Sequence, residues 1–285
     1  EGIAYRSDKV KPGDAFFCIV GMKTDGHTFA QDAIDHGAKV LVVERKVYLA
    51  DATDVTEVVV SDTRKAMAEA SARFYDDPSR ALSLVGVTGT NGKTTTTYLV
   101  EHIAHVAGKR TGVIGTVGTV IGDVHEKSSH TTPESPDLQH LLARMRDARC
   151  DVVAMEVSSH ALDLLRTWNT AFAVTAFTNL TQDHLDYHHT MENYFQAKAK
   201  LFEQMAQDTR SRRKPVAVIN IDDAYGRRLA EMFSGRMTVK TYGSALGADF
   251  RMLVHHATAK GSEYELEYKG KSYLVRVPLI GKFNM

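Results

Sequence analysis

Several short stretches of this chain carry residue types suited to chemistry on phosphates and carboxylates. The first is Thr88-Gly89-Thr90-Asn91-Gly92-Lys93-Thr94-Thr95, which follows an apolar run from Leu82. Glycines let backbone N–H groups approach an anion. A helix opening at Lys93 adds its positive end, and the lysine adds a full charge. Thr94 follows the lysine, where a hydroxyl reaches a nucleotide-bound Mg²⁺. Gly89 through Thr95 form the candidate nucleotide loop. Its spacing departs from the standard P-loop, which wants a glycine where this chain has Val87. The competing reading is a tight turn before an ordinary helix.

Three further stretches follow. Met155-Glu156-Val157-Ser158-Ser159-His160 lies where a buried strand runs out. A carboxylate there holds Mg²⁺, directly or through water, or ends the strand in a salt bridge. After the next strand, Asp183, His184, Asp186 and His188 fall within six residues. Such a cluster binds a metal or a polar substrate, or forms a solvated turn with an N-cap aspartate. His130-Thr131-Thr132-Pro133 offers hydroxyls before a Pro-fixed turn. They suit phosphate or pyrophosphate, or a simple hydrogen-bonded turn. Lys198 and Lys200, further on, read by composition as a solvated helix face.

These groups need elements that deliver them to one edge of a sheet. From Leu82 onward strands and helices alternate. Helices are predicted at 93–107, 137–149, 158–166, 191–205 and 224–233, and strands at 110–114, 151–157, 171–178 and 215–221. Leu138, Leu141, Leu142 and Met145 make one apolar helix face. Residues 116–136 read as a long polar segment without a period, of the kind that is often functional. Residues 238–277 read as strands with a hairpin at Lys269-Gly270-Lys271. Before Leu82 the pattern predicts strands at 15–20, 39–43 and 57–60 and helices at 28–36 and 63–75, the latter with Ala66, Met67, Ala70 and Phe74 on one face. Asp76-Asp77-Pro78-Ser79 breaks it. The expected fold is α/β: a small N-terminal α/β domain over 1–78, then a P-loop-like domain over 79–285. The second has a mostly parallel sheet and a C-terminal antiparallel portion.

The bulk properties narrow the class. The 285 residues suffice for two domains, and 43% are apolar. Lys+Arg and Asp+Glu are both 35, so no net charge points to nucleic acid or an acidic membrane. Cys18 and Cys150 form neither a disulfide framework nor a metal motif, and read as buried free thiols. No signal peptide or membrane-length apolar run is present, so a cytoplasmic enzyme, a monomer, is expected. The chain starts without Met and stops at Met285 without a polar tail, which reads as a chain lacking a further domain.

Taken together, these motifs resemble the Mur ligases, the ATP-dependent amide-forming enzymes of peptidoglycan precursor synthesis. Thr88 to Thr94 resembles that family's ATP loop, including its spacing. Thr131-Thr132-Pro133, Glu156 to Leu162, Thr178-Asn179-Leu180 with Asp183 to His188, and Lys198-Ala199-Lys200-Leu201-Phe202 resemble the branch that adds the third stem-peptide residue. Val10 to Asp14 and Asp25-Gly26-His27 resemble its nucleotide-sugar domain. The resemblance implies that ATP phosphorylates a carboxylate of UDP-N-acetylmuramoyl-L-Ala-D-Glu and that the amine of a diamino acid attacks the acyl phosphate. The diamino acid is meso-diaminopimelate or L-lysine. It implies Thr94 and Glu156 at one Mg²⁺, and His184 and a carbamylated Lys198 at a second. It implies Lys93 on the phosphates, Asn284 on the adenine side, and Ser7, Thr131, Thr132, Ser158 and Arg166 on the UDP-linked substrate. The family commonly has Asp-Ser-Arg where this chain has Arg6-Ser7-Asp8. The family's third domain, which binds the amino acid and closes over ATP, is expected to be missing, so this chain alone is expected to form no amide. The alternatives are another Mur ligase or a folylpolyglutamate synthase, a non-catalytic module derived from such a ligase, and a small-molecule P-loop kinase.

Overall fold

The turn Lys11-Pro12-Gly13-Asp14 sets up the first strands, with Gly13 at φ 91. The structure, a computed structural model, describes residues 1–21, 24–48, 54–128, 130–208, 214–258 and 261–279. Residues 1–78, 133–143 and 164–170 make one compact unit. Its strands β1 (Ile3–Ala4), β2 (Ala15–Phe17), β3 (Val40–Val43) and β4 (Thr56–Val59) form a parallel sheet in that order. Successive side chains face opposite sides of a strand. Phe16 and Leu41 therefore pack with Ala30 and Ala33 of α1 (Ala30–Asp35), while Phe17 and Val42 pack with Met67 of α2 (Thr63–Phe74).

Three expectations change here. The strand predicted to Val20 stops at Phe17, and Val20 only bridges Asp25. The helix predicted from Thr28 begins as a 3-10 turn, Gly26–Phe29, capped by Asp25 accepting from the His27 N–H. On α2 the buried residues are Thr63, Met67, Ala68, Ser71 and Ala72, whereas Phe74 is 50% exposed. Small residues let the helix approach the sheet closely, and the bulky Phe74 falls at its last turn.

Residues 79–132, 144–163 and 171–285 make the second unit. It runs β5 (Ser83–Thr88), α3 (Lys93–Val106), β6 (Thr111–Ile114), β7 (Thr119–Ile121), β8 (Val124–Glu126), α4 (Ser135–Asp147), β9 (Val152–Glu156), α5 (Ser159–Asp163), β10 (Val174–Phe177), α6 (Leu185–His188), α7 (Met191–Gln207), β11 (Val216–Asn220), α8 (Ala224–Phe233) and β12 (Thr238–Gly243). β13 (Phe250–Thr258), β14 (Gly261–Tyr268) and β15 (Lys271–Val277) complete it. Helix α4 contributes its first part, to Ala143, to the other unit. The sheet order is β15-β14-β13-β12-β11-β10-β5-β9-β6-β7-β8. Pairs from β13 to β6 are parallel, and both flanks are antiparallel.

The segment 116–136, expected to lack structure, holds the hairpin strands β7 and β8. Each is too short to show a period, yet Thr119, Val120 and Ile121 are buried. The C-terminal hairpin forms as expected, on a turn with both Lys269 and Gly270 at positive φ. Cys18 and Cys150 are buried and free. Among the described residues no helix is long and apolar enough to cross a membrane.

The strand order creates one special place. From β5 the chain moves towards β6; from β10 it moves the opposite way, towards β11. β5 and β10 are neighbours, so their C-terminal ends diverge and leave a crevice at the reversal, where such sheets take their ligands.

Candidate active site

β5 is buried along Leu84, Val87 and Thr88 and delivers the glycine turn to that crevice. Gly89 sits at φ 146 and Gly92 at φ 84. A Cβ on Gly89 would also collide with Thr178 Oγ1. Gly92 is the N-cap of α3, and no side chain caps this helix. Its first main-chain N–H groups are thus left for an anion. The loop after β10 braces the turn. Thr178 Oγ1 donates to the Asn91 carbonyl (2.6 Å), and the Thr90 and Asn91 N–H groups donate to the Asn179 carbonyl (2.8 Å) and Oδ1 (3.0 Å). Those two amides are therefore used inside the protein, which leaves anion binding to the helix start and Lys93. Lys93 folds back over its own loop, with Nζ donating to the Gly89 (3.0 Å) and Thr90 (2.8 Å) carbonyls. Burial lowers its pKa, and the charges of Glu156 and Asp183 oppose that shift.

Lys198 overturns its compositional reading. On α7, Tyr194, Phe195, Ala197, Lys198, Ala199, Leu201, Phe202 and Met205 are all buried, so the helix is enclosed around most of its circumference. Lys198 is 1% exposed. Its Nζ donates to the same Gly89 carbonyl (2.7 Å) and lies 4.6 Å from the centroid of the Tyr194 ring. Among the described residues it forms no ion pair. Burial, then the neighbouring Lys93 charge, push its pKa well below the ordinary lysine value. Two residues on, Lys200 pairs with Asp163 at 2.5 Å on the surface, as its composition predicts.

The Asp–His cluster forms around Tyr194. His184 has φ 51, and its ring centroid lies 6.0 Å from that of Tyr194 and 4.9 Å from that of His160. His188 stacks on Tyr194 at 5.0 Å, and its Nε2 is 2.9 Å from Ser159 Oγ. Burial, helped by the His160 charge, lowers the His188 pKa to about 4, which keeps the ring neutral near pH 7.

Glu156 ends β9 and is 1% exposed. Oε1 accepts from the Thr116 N–H (2.8 Å) and Oε2 from Thr116 Oγ1 (3.2 Å). A Cβ on Gly115 would collide with Oε1, so a larger residue there would displace the carboxylate from this position. Thr116 Oγ1 is 3.0 Å from Thr131 Oγ1. Thr132 Oγ1 donates to the Glu156 carbonyl (2.9 Å) and accepts from the Ser158 N–H (3.1 Å). Ser158 Oγ accepts from the Ala161 N–H (3.2 Å) as α5 begins.

Two expected substrate residues lie in the first unit. Ser7 opens a 3-10 turn and lines a pocket of about 320 Å³ with Tyr5, Phe16, Ile19 and Phe29. Arg6 and Asp8 pair with each other at 3.0 and 2.8 Å, so the inverted order still leaves Ser7 between balanced charges. Arg166 pairs with Glu134 at 2.8 Å, and Arg64 reaches the same carboxylate at 3.4 Å. Asn284 lies outside the described residues.

Thr116 acts in the site without having been singled out as a candidate, and Asn179, which stands in the Thr178-Asn179-Leu180 stretch, had no role assigned to it. Their signal was a polar residue just past a buried strand, and it acquires meaning only from the pairing of β6 with β9 and of β5 with β10. Among the described residues no group of three or more His, Cys, Asp and Glu is placed to hold a metal. The donors present, Glu156 and the Thr94 hydroxyl, fit a Mg²⁺ that keeps waters and substrate oxygens in its shell.

Comparison with known proteins accords with this arrangement. The family description "Mur ligase middle domain" matches residues 87–285, and "Mur ligase family, catalytic domain" matches residues 1–84. The 2,6-diaminopimelate ligase of Syntrophomonas wolfei, which by its name acts on UDP-N-acetylmuramoyl-L-alanyl-D-glutamate, is 40% identical over 284 residues, covering 100% of this chain and 56% of its own length. The enzyme of the same name from Geobacillus kaustophilus is 44% identical over 279 residues, covering 98% of this chain and 56% of its own length. A solved structure of a ligase with that name superposes with a TM-score of 0.86 at 30% identity, covering 99% of this chain and 56% of the other. The chain thus spans a little over half the length of these relatives. With a family match over most of its length, the chain belongs to the Mur ligase family.

Proposed function

We propose that this chain is the UDP-substrate- and ATP-binding part of a MurE-type ligase, which joins a diamino acid to UDP-N-acetylmuramoyl-L-Ala-D-Glu at the expense of ATP. The observation that carries this reading is the convergence of Lys93 and Lys198 on one carbonyl, that of Gly89, beside an uncapped helix start. Two lysine side chains share one neutral acceptor, an arrangement suited to anions at both. ATP phosphates supply them at Lys93, held by the first amides of α3 and neighboured by Gly89, Thr90, Asn91, Gly92, Thr94 and Thr95. The γ-phosphoryl group passes to the substrate carboxylate, leaving ADP. The amine then attacks the acyl carbon, and phosphate leaves as the amide forms.

Lys198 supplies the second anion. Its lowered pKa favours the free amine, which adds CO₂ to give a carbamate and release a proton. The carbamate would turn an ammonium with no lone pair into an oxygen ligand facing Lys93. With His184 it would hold a second Mg²⁺, while Thr94 and Glu156 hold the first. Bound Mg²⁺ would neutralise the phosphate and acyl-phosphate charge. Ser7 and its pocket in residues 1–78 take the uridine end. Thr131, Thr132, Ser158 and Arg166 serve the muramoyl-dipeptide end. The relatives' names favour 2,6-diaminopimelate as the diamino acid. The test is amide formation by the full-length protein with ATP, Mg²⁺ and UDP-N-acetylmuramoyl-L-Ala-D-Glu, comparing meso-diaminopimelate with L-lysine by product mass. ATP-dependent phosphorylation of the substrate that never yields an amide with either amine would instead indicate a kinase.

A further inference from the structure

Thr116 holds the buried carboxylate Glu156 with both of its donors, yet it occurs in none of the motifs that point to the family. It lies in the turn between β6 and β7, closed by the Gly115 N–H donating to the Gly118 carbonyl at 3.1 Å. The absent side chain at Gly115 lets this turn close on Glu156. The hydroxyl of Thr116 also touches that of Thr131.

A hydroxyl has a single proton to give, and an ionised carboxylate only accepts. The proton of Thr116 therefore goes to Glu156 Oε2, a carboxylate oxygen and the stronger acceptor. Thr131 must then give its own proton to Thr116 Oγ1. That leaves Thr131 with lone pairs alone for any partner beyond it. We propose that Thr116 is a positioning residue that fixes the hydroxyl of Thr131 as a hydrogen-bond acceptor, so that Thr131 reads an N–H or O–H group of the substrate's sugar-peptide part and not its pyrophosphate. The chain Thr131 to Thr116 to Glu156 is one-directional, with each proton pointing towards the carboxylate. A phosphate oxygen placed against Thr131 would meet a lone pair. This replaces the open sequence reading, in which the Thr131 hydroxyl was suited to phosphate, and it rests on the ligase function proposed above.

The experiment is a double-mutant cycle in the full-length protein, read by calorimetric binding of two probes, UDP-N-acetylmuramoyl-L-Ala-D-Glu and UDP alone. Thr116→Val and Thr131→Val should each weaken the muramoyl-dipeptide probe about fivefold to tenfold, the worth of one hydrogen bond, and leave UDP unchanged. The double variant should lose no more than the worse single one, because the two hydroxyls act as a unit. Thr116→Ser, which keeps the hydroxyl, should bind like the wild type. Wild-type binding by Thr116→Val, additive losses, or an equal loss for UDP would each overturn the assignment. Should Thr116→Val not fold, Thr131→Val against Thr131→Ser with the same two probes still decides which part of the substrate Thr131 reads. A wild-type protein that binds neither probe would refute the ligase reading itself, an outcome distinct from a wild type that binds while the cycle shows no coupling.

Discussion

Two neighbouring strands of one sheet end in opposite ways. Past β5, the side-chain nitrogens of Lys93 and Lys198 share the Gly89 carbonyl, and among the described residues Lys198 forms no ion pair. Past β9, one carboxylate, Glu156, is satisfied by the N–H and O–H of a single neutral residue. Among the described residues the lysines meet carboxylates only at a distance, through the charges of Glu156 and Asp183, whereas the carboxylate of Glu156 is held by direct hydrogen bonds from neutral groups. A buried charge without a counter-charge is costly. In the first case the cost falls on the lysine proton. In the second, neutral donors hold the carboxylate in place. The comparison separates residues poised to receive an anion from one poised to receive a cation.

The largest effects should come from breaking the cationic end. Lys93→Met in the full-length protein should reduce amide formation by about a thousandfold, comparable to loss of a strong transition-state contact, and weaken ATP binding in calorimetry. Lys198→Ala should be about as severe for activity, with partial recovery in short-chain carboxylates. Lys200→Ala, two residues away on the solvated face, should stay within about twofold of wild type. Mass spectrometry after trapping in CO₂-replete buffer should find the carbamate on Lys198 and not on Lys200, and an unmodified Lys198 would remove the proposed second metal site.

A middle-sized effect separates stability from function. The Lys198 pKa is lowered in the folded state, so the unfolded chain binds more protons below the ordinary lysine value. Stability should therefore rise with pH through the interval between the two pKa values. In CO₂-free buffer near neutral pH, Lys198→Met should raise Tm by about 2–6 °C. That gain should shrink as pH approaches the ordinary lysine value. A Tm that falls on substitution would mean that the ammonium is well solvated or paired.

His188 sharpens the same point on the acid side. Its folded pKa, about 4, lies below the ordinary histidine value of 6.5. The unfolded chain takes up the proton first as pH falls, so stability should decline from about pH 6.5 towards pH 4. His188→Asn should flatten that part of the Tm profile. The smallest effect belongs to Thr178→Val, which removes the 2.6 Å bond to the Asn91 carbonyl. It should raise KM for ATP a few-fold, on the order of one hydrogen bond, with kcat little changed.

Much of the scaffold was legible because its pattern is local. The run from Leu84 to Lys93 announces strand, glycine turn and helix by itself, and α8 was read to its ends. The hairpin β7–β8 escaped because each strand has three residues, too few to show alternation. Phe74 was misplaced because spacing alone does not reveal that the sheet prefers the small residues of α2.

For the site, the sequence by itself determined which chemical groups exist and which strand ends carry them: the glycine–lysine loop, Glu156, the Asp–His cluster and the threonines before Pro133. Those follow from residue type and short spacing, and such signals survive without a fold. Tertiary structure alone decided which of them meet. It buried Lys198 and exposed Lys200, though both are lysines on one helix, because α7 is enclosed by neighbours on all but one face. It brought Thr116 to Glu156 across forty positions, because β6 pairs with β9. Whether a lysine is a solvated cation or a buried amine depends on what surrounds it, and those surroundings are set by strand order rather than by the residues beside it in the chain.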